Sequence, residues 1–250
     1  MTGRFTEALL GARRPVIMEL KRQDAEGRSL FGDRSVARIV TEYQDAGAPC
    51  LSVVTGRWFG GTRELLREVM ARTHLPVLLK DFIIRRSQLE EAHRAGVSAV
   101  LLTASVLPRS TLDTLVDHSL RLGLTPFVEV ASEAEIGRVP RAGECLIAVN
   151  NKDIATREHG AGDTGRSVSL LPAVVGTGTR CAVSAGGIHR PDDAARLLRE
   201  GFSGLLIGTG LLRADSLPEW LDVFDRCRET APSVRRPGGP HDHGHLEGTI

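Results

Sequence analysis

The sequence lacks the features that would direct it to a membrane or a nucleic acid. No stretch approaches the roughly 20 apolar residues needed to span a bilayer, and the N-terminus lacks the apolar run of a signal peptide. An excess of one charge is missing too, because 32 Lys and Arg residues face 31 Asp and Glu residues. We therefore expect a cytoplasmic protein that binds a small polar molecule and neither nucleic acid nor membrane.

Paired cysteines are also absent. The four cysteines are far apart and form no CxxC motif, which argues against a disulfide framework. Three of them fall at or in predicted strands, where a thiol packs as a small hydrophobic group. We expect reduced, structural thiols and no bound metal; the cysteines are Cys50, Cys145, Cys181 and Cys227.

What the chain does contain is an alternation of short apolar runs and longer helical patterns. Its 250 residues, 41% of them hydrophobic, suffice for one large core. Eight such repeats in a chain of this length predict a single α/β domain, a closed (β/α)8 or TIM barrel. The predicted strands begin near Val16, Leu51, Val77, Ala99, Thr125, Leu146, Arg180 and Gly204. The predicted helices include Ser35 to Ala46, Thr62 to Thr73, Ser87 to Ala95, Arg109 to Leu122, Pro191 to Glu200 and Leu217 to Cys227.

The barrel pattern covers residues 1–230 and then stops. Residues 231–250 are rich in Pro, Gly and His without an apolar period, so we expect a disordered tail. A weak metal site is the less favoured alternative for three histidines in this tail, His241, His243 and His245. Within the barrel, glycines that favour a left-handed backbone follow three helical segments, at Gly96, Gly123 and Gly201.

Polar side chains stand where several apolar strands end. The run Pro76 to Leu79 is apolar on both faces until Lys80, which marks where this strand leaves the core. In a TIM barrel the carboxyl ends of the strands form one rim, and active sites lie there. We therefore expect two lysines, two glutamates and an amide to converge on this rim, namely Lys21, Lys80, Glu19, Glu129 and Asn150.

Two glycine-rich turns follow the seventh and eighth predicted strands. They read Ser184-Ala185-Gly186-Gly187-Ile188 and Leu206-Ile207-Gly208-Thr209-Gly210. Backbone amides approach an oxyanion closely where side chains are absent, and these two loops form the phosphate site in such barrels. Tight turns alone are the alternative explanation for the glycines. Together the two turns favour a phosphate site at Gly186, Gly187, Gly208 and Thr209.

In order and spacing, these residues resemble the indole-3-glycerol phosphate synthase family from about Arg4 to Leu221. The most specific motifs are Ile17-Met18-Glu19-Leu20-Lys21-Arg22, Leu51 to Thr55 with Trp58-Phe59-Gly60-Gly61, Pro76 to Phe82, Phe127 to Val130, Val149 to Asp153, and Leu206-Ile207-Gly208. The resemblance implies a lyase of tryptophan biosynthesis that needs no cofactor. It would cyclise, decarboxylate and dehydrate a 1-(2-carboxyphenylamino)-1-deoxyribulose 5-phosphate. We expect a monomer or weak homodimer.

The resemblance also implies roles for the polar rim. Lys80 would be the general acid that protonates the ribulose carbonyl oxygen, and Lys21 would assist loss of the hydroxyl. Glu129 would be the catalytic carboxylate, and Glu19 would hold the lysines. The division of proton transfer between the two glutamates stays open, as does a purely ion-pairing role for Glu19.

Further residues would bind the substrate. The resemblance implies that Asn150 hydrogen-bonds the substrate and that Lys152 and Arg22 supply positive charge. Phe59 and Phe82 would form an apolar wall against the anthranilate ring, although plain core packing is nearly as well supported.

Four departures from the family pattern concern this rim. Asp24-Ala25-Glu26-Gly27 replaces a Ser-Pro-Ser-x-Gly loop, which puts two carboxylates beside an anionic substrate unless a lysine or Arg22 neutralises them. Lys152 replaces an arginine, and Ala185-Gly186 replaces a Glu-Ser pair. Only about 15 residues precede the first strand, where the family carries an extra helical segment, so we expect a more open mouth or a changed lid.

These departures leave three functions open. The first is a synthase of ordinary specificity with a divergent rim. The second is a paralogue that acts on a modified arylamino sugar phosphate in specialised metabolism. The third is a barrel that binds a phosphorylated ligand without catalysis, which the retained lysines and glutamates disfavour.

Overall fold

The structure is a computed structural model that describes residues 3–152, 160 and 162–229. Eight parallel strands of the described chain close into a barrel in which each strand pairs with the next and β8 pairs with β1. The (β/α)8 prediction is confirmed, and each predicted strand start lies within one residue of the observed one. The strands are β1 (Val16–Leu20), β2 (Cys50–Val54), β3 (Val77–Lys80), β4 (Ala99–Thr103), β5 (Thr125–Val130), β6 (Leu146–Asn150), β7 (Cys181–Ala185) and β8 (Gly204–Ile207).

Helices surround the barrel, as the sequence pattern predicts. They are α1 (Arg4–Leu10), α2 (Val36–Asp45), α3 (Arg63–Met70), α4 (Arg86–Arg94), α5 (Arg109–Arg121), α6 (Glu133–Ile136), α7 (Thr164–Gly176), α8 (Pro191–Glu200), α9 (Thr209–Leu212) and α10 (Leu217–Glu229). Single 3₁₀ turns lie at Arg57–Phe59 and Ala142–Glu144. None of the helices in the described ranges is long and apolar enough to cross a membrane.

The strands bury side chains on both faces, and their alternation sorts these into two layers. Alternate residues such as Ile17, Leu78 and Phe127 pack together inside the barrel, whereas neighbours such as Met18 and Val128 pack in the layer that includes the helices. Both clusters consist of aliphatic and aromatic side chains that are almost fully buried. The residues two positions after Ile17, Leu78 and Phe127, on β1, β3 and β5, therefore point into the barrel at its carboxyl end.

One short helix before β1 closes the other end of the barrel. Phe5 and Leu9 of α1 are fully buried in the interior cluster. Gly204 begins β8 without a side chain because an added Cβ would lie 2.9 Å from Leu9 Cδ2. The sequence analysis identified no helix here, since seven residues are too few to show a clear apolar period.

Glycines end several helices as predicted. Gly96, Gly123 and Gly201 have φ values of +79°, +74° and +118°, in the left-handed region that a Cβ disfavours. Pro191 opens α8, and two aspartates occupy its first turn. The predicted tail at residues 231–250, with its three histidines, lies outside the described residues.

Candidate functional site

A pocket lies at the carboxyl ends of the strands. Ten of the thirteen predicted site residues line it: Glu19, Lys21, Lys80, Glu129, Asn150, Lys152, Gly186, Gly187, Gly208 and Thr209. Strand alternation explains the convergence, because Glu19, Lys80 and Glu129 each lie two residues beyond an interior side chain. The remaining three predicted residues, Arg22, Phe59 and Phe82, lie outside this lining.

The carboxylate of Glu19 stands between two ammonium groups. Its Oε1 lies 3.8 Å from Lys21 Nζ and its Oε2 lies 3.5 Å from Lys80 Nζ. Ser52 on β2 donates a hydrogen bond to the same Oε2 at 3.5 Å. The Glu19 side chain is only 3% exposed, so water screens these charges weakly. The arrangement holds two cations within reach of one bound molecule.

Glu129 supplies the second carboxylate of the pocket. It lies on β5, is 4% exposed, and pairs in register with Thr103 of β4. The pocket thus combines two carboxylates with the ammonium groups of Lys21, Lys80 and Lys152. Such a set can both donate and accept protons next to a phosphorylated substrate.

Gly208 leaves room for Glu19. A Cβ added at this position would overlap Glu19 Oε1. The glycine after β8 is therefore required by a carboxylate on β1, in addition to its place in the predicted phosphate site. Thr209, the next residue, begins the short helix α9 and also lines the pocket.

The turn after β7 has a left-handed backbone. Gly186 and Gly187 have φ values of +77° and +67°, so the tight-turn explanation accounts for their identity on its own. Both glycines nevertheless line the pocket, and an added Cβ at Gly186 would lie 2.8 Å from Asn150 Oδ1. Glycine at position 186 is therefore favoured both by the backbone conformation of the turn and by the close approach of Asn150.

Asn150 places a buried amide in the pocket. The residue is 2% exposed and lines the pocket, and its Oδ1 accepts a hydrogen bond from the Lys152 backbone N–H at 2.9 Å. Its Nδ2 has no hydrogen-bond partner within the part of the chain that the structure describes. Burying an unsatisfied donor costs roughly 1–3 kcal/mol, so this atom is suited to meet a bound acceptor.

A second asparagine, which the sequence analysis did not assign, supports the same rim. Asn151 is 1% exposed, and its Nδ2 donates to Ser184 Oγ at 3.1 Å and to Gly186 O at 3.0 Å. Its Oδ1 accepts from Ser167 N and Ser167 Oγ at 3.1 and 2.7 Å. This network ties β6, α7 and the Gly186 turn together. The two adjacent asparagines at a strand end could have indicated a role for Asn151, since successive side chains of a strand face opposite sides.

The predicted aromatic wall adjoins the pocket. Lys21 Nζ lies 4.8 Å from the centre of the Phe59 ring, a distance at which a cation and an aromatic face attract. Phe82 packs edge-on against Trp58, with ring centres 4.9 Å apart, and both line a neighbouring open cleft. Trp58 itself is 56% exposed.

The basic residue Arg22 turns away from the pocket. Its guanidinium carbon lies 5.3 Å from the centre of the Phe31 ring, and Arg22 does not line the pocket. The structure thus gives Arg22 a contact within the loop between β1 and α2.

Two arginines neutralise Asp24 in the acidic loop after β1. Asp24 is 4% exposed and forms ion pairs with Arg28, at 2.9 Å, and with Arg213. Burial acts to raise the pKa of Asp24, but hydrogen bonds from Arg28 and the charges of Arg28 and Arg213 outweigh it, lowering the pKa to about 2. Glu26 pairs with Arg28 at 3.0 Å. The Asp24 carboxylate is therefore neutralised by Arg28 and Arg213, two arginines that the sequence analysis did not consider for this role.

No group of three or more His, Cys, Asp and Glu side chains in the described residues is placed to hold a metal ion. The four cysteines are free thiols. Burial raises the pKa of Cys145 and of Cys181 to about 12, and it also raises the pKa of Cys50, which keeps all three protonated.

Comparison with known proteins gives one family over nearly the whole chain. The family model for indole-3-glycerol phosphate synthase matches residues 2–222. The indole-3-glycerol phosphate synthase of Halalkalibacterium halodurans is 36% identical over 206 residues, covering 82% of this chain and 78% of the relative. That of Pyrococcus furiosus is 34% identical over 213 residues, covering 85% of this chain and 92% of the relative.

A solved structure shares the fold at low sequence identity. The 3-hexulose-6-phosphate synthase of Salmonella typhimurium superposes with a TM-score of 0.66 and 13% identity, over 86% of this chain and 98% of that chain. The likeness supports the barrel architecture alone.

Proposed function

This chain belongs to the indole-3-glycerol phosphate synthase family, and from that premise we propose how its pocket closes an indole ring. The substrate of the proposed reaction is 1-(2-carboxyphenylamino)-1-deoxyribulose 5-phosphate. Ring closure, loss of carbon dioxide and loss of water convert it to indole-3-glycerol phosphate. This is a carboxy-lyase reaction of tryptophan biosynthesis.

The observation that carries the proposal is the buried Lys21–Glu19–Lys80 group beside Asn150. Glu19 holds both ammonium groups close together, and the buried Asn150 Nδ2 donor in the same pocket can meet a substrate acceptor. A barrel that only bound a ligand would gain nothing from two buried lysines that share one carboxylate. We therefore favour catalysis over the binding-module alternative.

Lys80 is the proposed general acid of ring closure. As the aromatic carbon that bears the carboxylate attacks the ribulose carbonyl carbon, the new C–C bond forms and Lys80 Nζ donates a proton to the carbonyl oxygen. The ring then loses carbon dioxide, and the electron pair of the broken carbon–carboxylate bond stays in the ring and restores its aromaticity. Lys80 is 12% exposed, so little water competes for the proton.

Lys21 and Glu129 are the proposed pair for dehydration. Lys21 assists departure of the hydroxyl as water, and Glu129 is the candidate that takes up a ring proton. Glu19, between the lysines, holds them in position. Both carboxylates line the pocket, so the division of proton transfer between them is a matter for experiment.

The remaining pocket residues are proposed to bind the substrate. Gly186, Gly187, Gly208 and Thr209 lie together on the turns after β7 and β8, where their backbone amides can surround a phosphate. Asn150 and Lys152 are proposed to contact the polar part of the substrate, with its carboxylate near Lys152.

Phe59, Phe82 and Arg22 lie outside the lining of the pocket, and we propose that they contribute to substrate binding from its edge. Phe59, beneath Lys21, and Phe82, beside Trp58, would form the wall that the aryl ring meets. Arg22 lies over Phe31, so we assign it a supporting electrostatic role.

One observation favours a second candidate substrate. Ala185 and Gly186 line the pocket where the family pattern has a glutamate and a serine, and Lys152 replaces a forked guanidinium with a point charge. The rim therefore has fewer polar groups, which suits an aryl group that carries an additional substituent. Turnover of the unsubstituted substrate separates the two candidates.

We also infer a cytoplasmic location and a monomer or weak homodimer, with the catalytic domain formed by residues 1–230. The free cysteines and the small-molecule biosynthetic reaction support the location. Size-exclusion chromatography with light scattering tests the oligomeric state.

The reaction is tested by following indole fluorescence after mixing purified protein with the substrate. We expect a rise in fluorescence, and we expect Lys80→Ala to lower kcat by roughly 10²-fold to 10⁴-fold because it loses a positioned general acid. Circular dichroism checks that the variant is folded. Near-normal turnover by Lys80→Ala would remove Lys80 from the mechanism, and a folded wild type without turnover would direct attention to substituted aryl substrates.

A further inference from the structure

The loop after β1 folds into a small hairpin, residues 22–30, which we call the strap. Leu30 N donates to Arg22 O at 2.8 Å, and Asp24 N donates to Arg28 O at 3.0 Å. Gln23 and Ser29 form an antiparallel bridge between the two arms. The strap begins directly after Lys21, so its position bears on the position of this lysine.

One side of the strap is tied to the β8 end of the pocket. The Asp24 carboxylate pairs with Arg213, which follows α9 and therefore stands four residues beyond Thr209 of the proposed phosphate site. Just beyond the strap, Arg34 Nη2 donates to Leu212 O at 2.5 Å. The Asp24 side chain is 6% exposed, whereas the Arg213 side chain is 45% exposed.

The other side of the strap is tied to the β2 end. Gln23 N donates to Phe59 O at 3.1 Å. The Gln23 side chain lies against Gly60, whose φ is +66°, and an added Cβ there would lie 2.9 Å from Gln23 Cδ. Phe59 in turn carries the ring over which Lys21 Nζ lies. The strap thus spans the distance between the loops after β8 and β2.

We propose that Asp24 is a positioning residue, whose ionic attachment to Arg213 and Arg28 holds the strap across the barrel mouth and so keeps Lys21 over Phe59 and beside Glu19. The inference rests on the proposed function, because Lys21 is the group that it positions. A neutral hydrogen-bonding residue would keep the backbone contacts of Asp24 with Glu26 and Arg28 but would lose the attraction to both guanidinium groups. The strap itself would then lose its ionic attachment on the β8 side, where only the Arg34 contact just beyond it would remain.

The first test compares Asp24→Asn with Glu26→Gln, which removes a charge from the same strap at an exposed position that also pairs with Arg28. We expect Asp24→Asn to lower kcat by roughly 10-fold to 100-fold, since small displacements of a catalytic group carry penalties of this size. KM should change much less, because Asn150 and the phosphate turns are untouched. Glu26→Gln should keep both constants near the wild-type values.

The second test asks whether Asp24 acts through Arg213. Arg213→Met should reproduce the fall in kcat, and the double variant Asp24→Asn/Arg213→Met should be no worse than the more impaired single variant. Additive losses in the double variant would overturn the proposal. An equal fall in kcat in Asp24→Asn and Glu26→Gln would also overturn it. Because Arg213 is half-exposed, its variant decides the matter even where Asp24→Asn does not fold.

A third test needs no turnover and separates this inference from the proposed function. Trypsin cleaves after exposed arginines, and the strap contains Arg22 and Arg28. We expect faster cleavage at these two sites in folded Asp24→Asn and in Arg213→Met, as followed by mass spectrometry, with Glu26→Gln close to wild type. Unchanged cleavage in both Asp24→Asn and Arg213→Met would refute the strap attachment whatever the substrate is.

Discussion

Glu19 connects Lys21 and Lys80, the two lysines that we propose to act in catalysis. Its carboxylate contacts both ammonium groups, and a hydrogen bond from Ser52 orients it from the neighbouring strand. The backbone of Gly208 closes the remaining side. A single buried carboxylate with this many neighbours has little freedom to move, so its position sets the separation of the lysines.

We therefore predict that Gly208→Ala displaces Glu19 and lowers kcat by about 10²-fold, because the added methyl group would overlap Glu19 Oε1. The matched control is Gly176→Ala, at the end of α7, where an added Cβ meets nothing within 4 Å. Steady-state kinetics checks both variants. A Gly208→Ala enzyme with normal kcat and a raised KM would show instead that the glycine matters only for phosphate.

At the scale of elements, the carboxyl end of β6 is joined to α7 and β7 by buried polar groups. Asn151, Ser167 and Ser184 hydrogen-bond to one another, and Asn151 also holds the carbonyl of Gly186. The Gly186 turn after β7, which we propose to bind phosphate, therefore depends on the side chain that directly follows β6.

We predict that Asn151→Ala lowers the free energy of unfolding by about 1–3 kcal/mol, because it leaves buried hydroxyls and a carbonyl without their partner. It should also raise KM, since the Gly186 turn loses its support. Ser169→Ala on the exposed side of α7 is the control and should change neither quantity. Urea unfolding and initial rates measure the two effects; a destabilised variant with unchanged KM would separate the network from phosphate binding.

The elements differ in how far the sequence predicts them. The end of a strand, as at Lys80, can be predicted because an apolar run changes to polar residues at one position. The two-residue alternation of a strand then predicts which side chains face the barrel interior. Helix ends such as Gly201 are readable because one backbone angle requires glycine. The partners of Asp24 are not readable in this way, since Arg213 lies 189 positions away and only the closed barrel brings it near.

The contacts of some site residues could not be predicted from the local sequence pattern either. Asn151 points away from the pocket and acts through Ser167 and Ser184, so its role depends on which strands are neighbours. Phe59 and Phe82 were predicted as a wall, yet packing decided that one supports Lys21 and the other meets Trp58.

Across the whole molecule, Asp225 on α10 joins the last helix to the segment before β1. It accepts hydrogen bonds from Arg13 at 2.5 Å and from Arg14 at 2.8 Å. Burial acts to raise the pKa of Asp225, but the hydrogen bonds and charges of Arg14 and Arg13 prevail, so the pKa lies below its ordinary value of 3.8.

This lowered pKa predicts how stability depends on pH. The Asp225 contribution is present above the ordinary pKa of 3.8 and is lost as the pH falls through the lower pKa of the folded state. We expect Asp225→Asn to reduce the free energy of unfolding at neutral pH, with a smaller difference from wild type as the pH falls below about 4. Asp222→Asn, 65% exposed and 3.9 Å from Arg14, is the control and should cost less. Urea unfolding at several pH values measures this; a difference that stays constant with pH would contradict the assignment.

The contact between α10 and the segment before β1 also has a consequence for topology. Arg228 Nη1 donates to Arg13 O at 2.6 Å, so the end of α10 lies beside the chain that leads from α1 into β1. This junction is at the closed end of the barrel, away from the mouth. A circular permutant that links α10 to α1 and is reopened in a surface loop would therefore carry its linker at the closed end, and the order of strands around the pocket would stay the same.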